Sequence, residues 1–573
     1  MDYLKKYELW ISSPYIDDDT KEELKNIKGN TKEIEDRFYR DLEFGTGGLR
    51  GIISAGTNRM NIYVIRKVSQ GLANYVKKLG GSAKLRGIAI AYDSRHKSRE
   101  FAMEAASVFA GNGIKSYVFD DLRPTPELSY AVRKLSAISG IVITASHNPA
   151  EYNGYKVYWE DGGQLSLDIS NEILCEINNI TDFEHIQFKN LDTAKHEGLF
   201  SIIGQEIDIM YLNDIQSLIL NKDIIKKQGN TFKIIYTPLH GSGNIPVRSS
   251  LNMAGFNKVY IVKKQEMPDP NFPTVKSPNP EEHSAFKLAL DMAVEIEPDI
   301  ILGTDPDCDR LGTCVKDING EYITLTGNQI GALLMDYLLS QLKGKGKLPD
   351  NGIVVKTIVT SELGRAIADS YGVKIVDTLT GFKFIGEKIK EFEESSSYSF
   401  LFGYEESYGY LAGTFVRDKD AVIAATLVCE MGAYYKDKGI TIYEALQNIY
   451  IKYGYYMENL KSLTLNGIEG NELILKIMNS LRRNPPHMLG IEKINKIKDY
   501  NEGIDYLPKS DVLQLITDSG SIISIRPSGT EPKIKIYYSA VGKNEIDVKT
   551  KLALLSTEFN AITDKIIKQN KRS

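Results

Sequence analysis

Short, β-branched runs alternate with helix-patterned stretches along most of this 573-residue chain, and this alternation constrains the fold more than any other feature. Gly87-Ile-Ala-Ile-Ala-Tyr92 reads as a buried strand, Ser98–Gly111 as a helix, and Lys115-Ser-Tyr-Val-Phe119 as the next strand. The series starts again at Phe232-Lys-Ile-Ile-Tyr236, runs to Asp299-Ile-Ile-Leu302, and starts a third time at Gly352-Ile-Val-Val-Lys356. Repeated strand–helix–strand units build parallel or mixed sheets, so the expected class is α/β. The C-terminal part reads as helix, two strands (522–526 and 533–538) and helix, a smaller α+β module. No short-period repeat and no low-complexity tract is apparent. At about 150 residues per domain the length suggests three or four domains. The polar stretch 190–197 is expected to mark a boundary, and the Gly/Lys-rich run 343–352 either a boundary or a loop inside a domain.

Composition narrows the partners. Hydrophobic residues make up 42% and charged residues 25%, ordinary for a soluble globular protein. With a net charge of −5 and no long basic run, a nucleic-acid partner is not expected, and the mildly basic tail 565–573 reads as a frayed terminus. Cys175, Cys308, Cys314 and Cys429 form no CxxC pair, so reduced thiols and no zinc site are expected. The N-terminus lacks an apolar signal core and no long apolar run follows, so the expectation is a cytoplasmic protein with no membrane partner.

Thr144-Ala145-Ser146-His147-Asn148-Pro149 follows the apolar run Gly140-Ile141-Val142-Ile143. Asn148-Pro149 breaks regular structure, and Ser146 is expected to lie exposed on the loop, with the His147 imidazole beside a hydroxyl nucleophile. The alternative is a plain Ser/Asn turn. Asp305-Pro306-Asp307-Cys308-Asp309-Arg310 follows Ile300-Ile301-Leu302. Three carboxylates at alternate positions in extended backbone would share one side and repel unless a cation sat among them. Oxygen-only ligation suits Mg²⁺ or Ca²⁺. An EF-hand is excluded because Arg310 and Lys316 stand where glycine and glutamate are required.

Arg526-Pro527-Ser528-Gly529-Thr530-Glu531-Pro532-Lys533 lies between two alternating strands, and its hydroxyls, glycine-permitted amides and guanidinium read as an anion cradle. Phe44-Gly45-Thr46-Gly47-Gly48-Leu49-Arg50-Gly51 is a further Gly/Arg loop but not a dinucleotide fingerprint, and no nucleotide P-loop occurs. Gly403-Tyr404-Glu405-Glu406-Ser407-Tyr408-Gly409-Tyr410 brings carboxylates, a hydroxyl and rings together as sugar sites do, or forms an aromatic structural turn. Thr380-Gly381-Phe382-Lys383 and Arg417-Asp418-Lys419-Asp420 carry lysines able to reach a phosphate.

In this order the motifs resemble those of the α-D-phosphohexomutase superfamily, over about residues 44–538. The form of the Phe44 loop and Tyr404 before Glu405-Glu406-Ser407 look most like the branch of bacterial phosphoglucomutases and eukaryotic phosphopentomutase-like proteins. Tyr404 departs from the muscle-type pattern, where glycine directly precedes the paired glutamates. The resemblance implies three related α/β domains with mixed sheets plus a smaller C-terminal α+β domain around a central cleft, assigned to 1–205, 206–320, 321–452 and 453–573. It implies that Ser146 is the phosphoserine donor and that Asp305, Asp307 and Asp309, with Ser146 through its phosphoryl group, hold Mg²⁺. His147, Lys156, Arg50 and Arg310 would surround the transferring group. Glu405 and Ser407 would bind sugar hydroxyls, with Gly381, Lys383 and Lys419 on the substrate. Arg526, Ser528, Gly529 and Thr530 would hold the non-reacting phosphate.

The implied activity interconverts glucose 1-phosphate and glucose 6-phosphate, with glucose 1,6-bisphosphate as activator and intermediate. The alternatives are a phosphopentomutase, a sugar-1,6-bisphosphate synthase, or a non-catalytic phosphosugar-binding protein. Either a monomer or a homodimer is compatible with the sequence, and either Lys156 or His147 with the role of proton acceptor.

Overall fold

A computed structural model describes residues 3–44, 48–465, 467–504, 506–528 and 533–570, without the side chains of 467–469 and 471. Three of its four sheets repeat one plan. In the first, Phe200–Ile203, Ser116–Phe119, Ile88–Tyr92 and Ser139–Ile143 lie parallel in that order; Tyr152–Trp159 follows antiparallel, and Gly48–Ile52 antiparallel to that. In the second, Val259–Ile261, Ile234–Thr237 and Ile300–Thr304 are parallel, then Leu311–Lys316 and Tyr322–Thr324 each reverse direction. The third runs Lys374–Thr378, Gly352–Thr357 and Ser399–Glu405 in parallel, ending on antiparallel Gly409–Ala412.

Within each plan, four strands in chain order take the places second, first, third, fourth, with only the fourth reversed. Parallel neighbours need a long, usually helical crossover, whereas a reversal needs only a short loop. Each plan therefore places a helix-free loop after its third strand, at residues 144–151, 305–310 and 406–408. These loops lie at the carboxyl ends of the parallel strands, where open α/β sheets gather ligands.

The packing follows from the sequence. In Ile88–Tyr92, Ile88, Ile90 and Tyr92 join a cluster with Leu72 and Phe101, while Ala89 and Ala91 face Leu128 and Ala131 of helix Thr125–Lys134. Both faces are thus covered by helices, which is why the strand is apolar throughout rather than alternating. The Ala89/Ala91 cluster continues without a break through Ile234 and Ile300 to Val354, so the three α/β units share one hydrophobic continuum.

The fourth sheet is antiparallel, in the order Tyr455–Thr464, Lys533–Gly542, Ile522–Pro527, Leu513–Thr517, Glu492–Asp499 and Met488–Leu489. Helix Glu545–Asn570 packs on it through Leu552, Leu555 and Phe559. Tyr500, Val512 and Tyr537 join it to Ile358, Val359 and Leu379 of the third unit.

The α/β class and the three related units agree with the expectation, and helix Ser98–Gly111 matches it end to end. Two readings need correction, and the choice left open at 343–352 falls to the loop inside a domain. Residues 190–197 are not a boundary, because they hold helix Leu191–His196, which leads into the edge strand of the first sheet. Residues 343–352 join helix Gly327–Gly344 to strand Gly352–Thr357 inside the third unit. The C-terminal module has six strands rather than two. Of the missed ones, Tyr455–Thr464 and Glu492–Asp499 carry lysine, glutamate and asparagine because one face of the sheet meets solvent, which masks the apolar signal. The four cysteines are free. Among the described residues no helix is long and apolar enough to cross a membrane.

Candidate active site

Ser146 follows the fully buried strand Ser139–Ile143 and sits in the left-handed region, with φ 52°. The expectation of an exposed serine is wrong: Ser146 is 1% exposed. Its amide donates to Thr144 Oγ1 at 2.8 Å, and Thr144 donates to Asp93 Oδ2 at 2.6 Å. Arg95, buried against Asp93, donates to the carbonyl oxygens of Ser146 (2.6 Å), Asn148, Pro149 (2.7 Å) and Tyr152 (3.0 Å). One paired guanidinium thus satisfies three carbonyls of a loop that has no helix or sheet ladder of its own, and a fourth at the start of the next strand, which fixes the unusual backbone. The Ser146 hydroxyl donates to Asp305 Oδ2 at 2.7 Å and lies 3.2 Å from His147 Nδ1. Burial, Arg310 and Arg50 hold the His147 imidazole well below its ordinary pKa, so it is neutral near pH 7. Arg50, on strand Gly48–Ile52, donates to Asn148 Oδ1 at 3.2 Å.

The acidic loop bends rather than extends. Residues 306–308 form a turn with Cys308 at φ 52°, so the carboxylates converge through the turn and not through strand alternation. Asp305 Oδ1 accepts the amides of Asp309 (3.1 Å) and Arg310 (3.0 Å), closing the loop on itself. One ligand oxygen from each of Asp305, Asp307 and Asp309 lies within 4.8 Å of the others, and all three residues are buried. Lys156 Nζ donates to Asp307 Oδ2 at 2.7 Å and lies 3.3 Å from Asp309 Oδ2, while Lys419 Nζ reaches Asp309 Oδ2 at 2.8 Å. Arg310 pairs with Glu281.

Burial, then Asp307 and Asp309, push the Asp305 carboxyl well above its usual range. At Asp307 burial also raises, but Lys156 and Lys419 outweigh it and the carboxyl is lowered. Burial and Asp307 raise Asp309, yet Lys419, Lys156 and Arg310 leave it lowered too. Two ammonium groups against three carboxylates leave negative charge over. Asp307 Oδ1 and Asp309 Oδ1 are buried without a hydrogen-bond partner among the described residues. Orphaned carboxylate oxygens in a buried, all-oxygen cluster fit a hard divalent cation.

The third loop, 406–408, approaches from the third sheet. Glu405 ends strand Ser399–Glu405, is 4% exposed, and accepts the amide of Gly381 at 2.9 Å. Burial and then Glu406 raise its carboxyl to about 7. Ser407 is half-buried at the turn. The aromatic neighbours do not offer a sugar platform: Tyr404, Tyr408 and Tyr410 are all buried. A Cβ at Gly331 would lie 2.2 Å from the Tyr404 ring, so the ring fills a slot in the core. Gly381 (φ 122°) starts helix Phe382–Ser395, which carries Lys383, buried with its Nζ 4.8 Å from the Phe384 ring centre.

Arg526 lies on strand Ile522–Pro527 opposite Lys535, and Tyr537 on the neighbouring strand feels the charges of Glu406, Arg526 and Glu405. Ser528 N donates to Lys533 O at 2.8 Å. Gly529 and Thr530 lie outside the described residues, as do Gly45, Thr46 and Gly47. The structure therefore brings together Ser146, His147, Lys156, Arg310, Lys419 and the three aspartates, places Arg50 beside Asn148, and sets Glu405 within the field of Arg310.

Sequence reasoning missed Asp93, Arg95 and Thr125. Asp93 and Arg95 follow strand Ile88–Tyr92, next to Ser139–Ile143 at the point where strand order reverses, a signal the switch-point rule could have used. Thr125 comes from helix Thr125–Lys134, which no motif marked. It donates its amide to Asp307 O and its hydroxyl to Asp307 Oδ2, both at 2.9 Å.

Family models for the phosphoglucomutase/phosphomannomutase alpha/beta/alpha domains I, II and III match residues 41–184, 210–320 and 326–453. The chain is 39% identical over 516 residues to a protein named phosphoglucomutase from Staphylococcus haemolyticus (strain JCSC1435), covering 88% of this chain and 91% of that one. It is 38% identical over 545 residues to the protein of the same name from Staphylococcus aureus (strain MSSA476), covering 92% and 95%. In fold it resembles a putative phosphomannomutase from Thermus thermophilus (TM-score 0.69, 19% identity, 92% of this chain and 99% of that one). It resembles equally the open form of Paramecium pp63/parafusin (TM-score 0.69, 18% identity, 92% and 96%).

Proposed function

This chain belongs to the phosphoglucomutase/phosphomannomutase family, and from that membership we propose that it interconverts glucose 1-phosphate and glucose 6-phosphate by way of a phosphorylated Ser146. The observation that carries the reading is the Ser146 hydroxyl 2.7 Å from Asp305, inside a buried cluster of three carboxylates and two ammonium groups. Binding alone needs no nucleophile there. The similarity in sequence to proteins named phosphoglucomutase supports the choice of sugar.

In the forward half-reaction the phosphoserine P–O bond breaks as a sugar hydroxyl forms a new one, and the hydroxyl's proton ends on the released serine oxygen, leaving glucose 1,6-bisphosphate and a free serine. In the return half-reaction Ser146 attacks the other phosphate as that phosphate's bond to the sugar oxygen breaks; the serine proton passes to His147 Nδ1, 3.2 Å away, and from there to the sugar oxygen, which leaves as a hydroxyl. That geometry favours His147 over Lys156, whose ammonium is held on Asp307 and Asp309. Mg²⁺ held by Asp305, Asp307 and Asp309 would neutralise charge building on the transferring group. Lys156, Lys419 and Arg310 add fixed positive charge, so catalysis rests on positioning and electrostatics, as in phosphoryl transfer generally. Between the halves the bisphosphate must turn end for end. Arg526 and Ser528, with Gly529 and Thr530, are the proposed cradle for whichever phosphate is not reacting, and Glu405 and Ser407 the sugar contacts, with Gly381 and Lys383 beside them.

The test is an assay of purified protein with Mg²⁺ and trace glucose 1,6-bisphosphate, offering glucose 1-phosphate in one arm and ribose or deoxyribose 1-phosphate in the other. The reading predicts faster turnover of the glucose compound, without net accumulation of bisphosphate. Faster turnover of the pentose, or bisphosphate as the main product, would replace it.

A further inference from the structure

Asp418 divides its two carboxylate oxygens between two parts of the molecule. Oδ2 accepts Tyr158 Oη at 2.6 Å and Gln164 Nε2 at 2.8 Å, both from the first α/β unit. Oδ1 accepts the Lys419 amide at 2.8 Å and lies 3.5 Å from Lys419 Nζ. Asp418 and Tyr158 are fully buried, so neither group has water as an alternative partner.

Tyr158 and Lys156 are two residues apart on strand Tyr152–Trp159, and side chains at i and i+2 of a strand share a face. Lys156 reaches Asp309 Oδ2 directly, at 3.3 Å. Tyr158 reaches the same atom indirectly, through Asp418 and then Lys419, whose ammonium is 2.8 Å from it. These contacts run through Lys156, Asp309, Lys419, Asp418 and Tyr158, and the strand between Tyr158 and Lys156 closes the ring, joining all three α/β units. Gly409 leaves room for it: a Cβ there would stand 2.6 Å from Lys419 Cδ. Lysine alone has a flexible four-carbon stem with its charge at the end. A fixed carboxylate behind it removes that freedom.

Resting on the mutase reading above, we infer that Asp418, held by Tyr158 and Gln164, is a positioning residue that sets the Lys419 ammonium on Asp309 for phosphoryl transfer. Asp418 itself touches no reacting atom in this account. Its effect should pass wholly through Lys419.

The inference predicts a coupling that a merely structural residue would not show. Tyr158→Phe keeps the ring and removes only the hydroxyl. It should lower kcat on glucose 1-phosphate about tenfold with KM little changed, since contacting groups commonly couple by that much. In a Lys419→Met background the same substitution should cost little or nothing more. Gln164→Leu, at the other donor, should behave alike and serves if Tyr158→Phe folds poorly, as judged by its melting curve. A combined loss smaller than the product of the two single losses supports the inference. A loss equal to or larger than that product, or a Tyr158→Phe enzyme with wild-type kcat, overturns it. A wild-type protein that turns over no phosphosugar would remove the functional reading and this inference together, whereas fully multiplicative losses in an active protein remove this inference alone.

Discussion

The Ser146 hydroxyl is buried and aimed at Asp305 Oδ2, 2.7 Å away. The hydroxyl beside an imidazole was visible in six letters, but its burial was not, because Asp93 and Arg95, which hold the loop, stand some fifty positions away in sequence. Ser146→Ala should abolish turnover while lowering unfolding free energy by only about 1–3 kcal/mol, the cost of leaving the buried Asp305 oxygen without its donor. Loss of activity accompanied by a collapse in stability would point to a packing role instead. The acidic triplet was legible as a cluster that could hold a cation, though for the wrong geometric reason, since a turn and not alternation gathers the carboxylates. Asp307→Asn removes one charge from a cluster whose oxygens are partly orphaned. Losing even an outer partner of a metal ligand costs about 10- to 100-fold in affinity, so apparent Mg²⁺ affinity should fall at least that far and activity should recover partly at high Mg²⁺. Activity indifferent to a chelator would end the metal reading.

Among the elements, the third-to-fourth strand connection recurs with different chemistry in each α/β unit: a nucleophile after Ile143, carboxylates after Thr304, paired glutamates at Glu405. The strand–helix periodicity exposed the three units, yet not their identical strand order, because pairing is a long-range property that no local window contains. The fourth sheet carries Arg526 at the end of strand Ile522–Pro527, beside Tyr537, which also feels Glu405 and Glu406. If Arg526 holds the distal phosphate, Arg526→Ala should raise KM for glucose 1-phosphate by about 10- to 100-fold, the worth of one charge-assisted contact. Phosphorylation of the enzyme by saturating glucose 1,6-bisphosphate should suffer much less, because that step occurs at the other end of the sugar. If enzyme phosphorylation is lost as completely as in Ser146→Ala while the bisphosphate still binds, the cradle has been assigned to the wrong residues.

The whole molecule is held by polar anchors between units as well as by its shared core. Glu430, on helix Ala421–Asp437, accepts the amides of Leu220 (2.8 Å) and Asn221 (2.6 Å), and burial raises its carboxyl to about 7. A folded pKa raised above the unfolded value gives stability that is complete below the unfolded pKa and is lost as pH rises through the folded one. Glu430→Gln keeps an acceptor without the charge. It should unfold at higher denaturant than wild type at pH 8, by roughly 2–3 kcal/mol, and lose that advantage by pH 4. A pH-independent difference would contradict the assignment. The central claim concerns the nucleophile and is tested most directly by mass spectrometry of the peptide carrying Ser146, after incubating wild-type protein with Mg²⁺ and glucose 1,6-bisphosphate and then chasing with glucose 1-phosphate. The account predicts one phosphoryl group on Ser146 that appears with the bisphosphate and leaves during the chase as glucose 6-phosphate forms. Glucose 6-phosphate forming at full rate while Ser146 stays unmodified would contradict it.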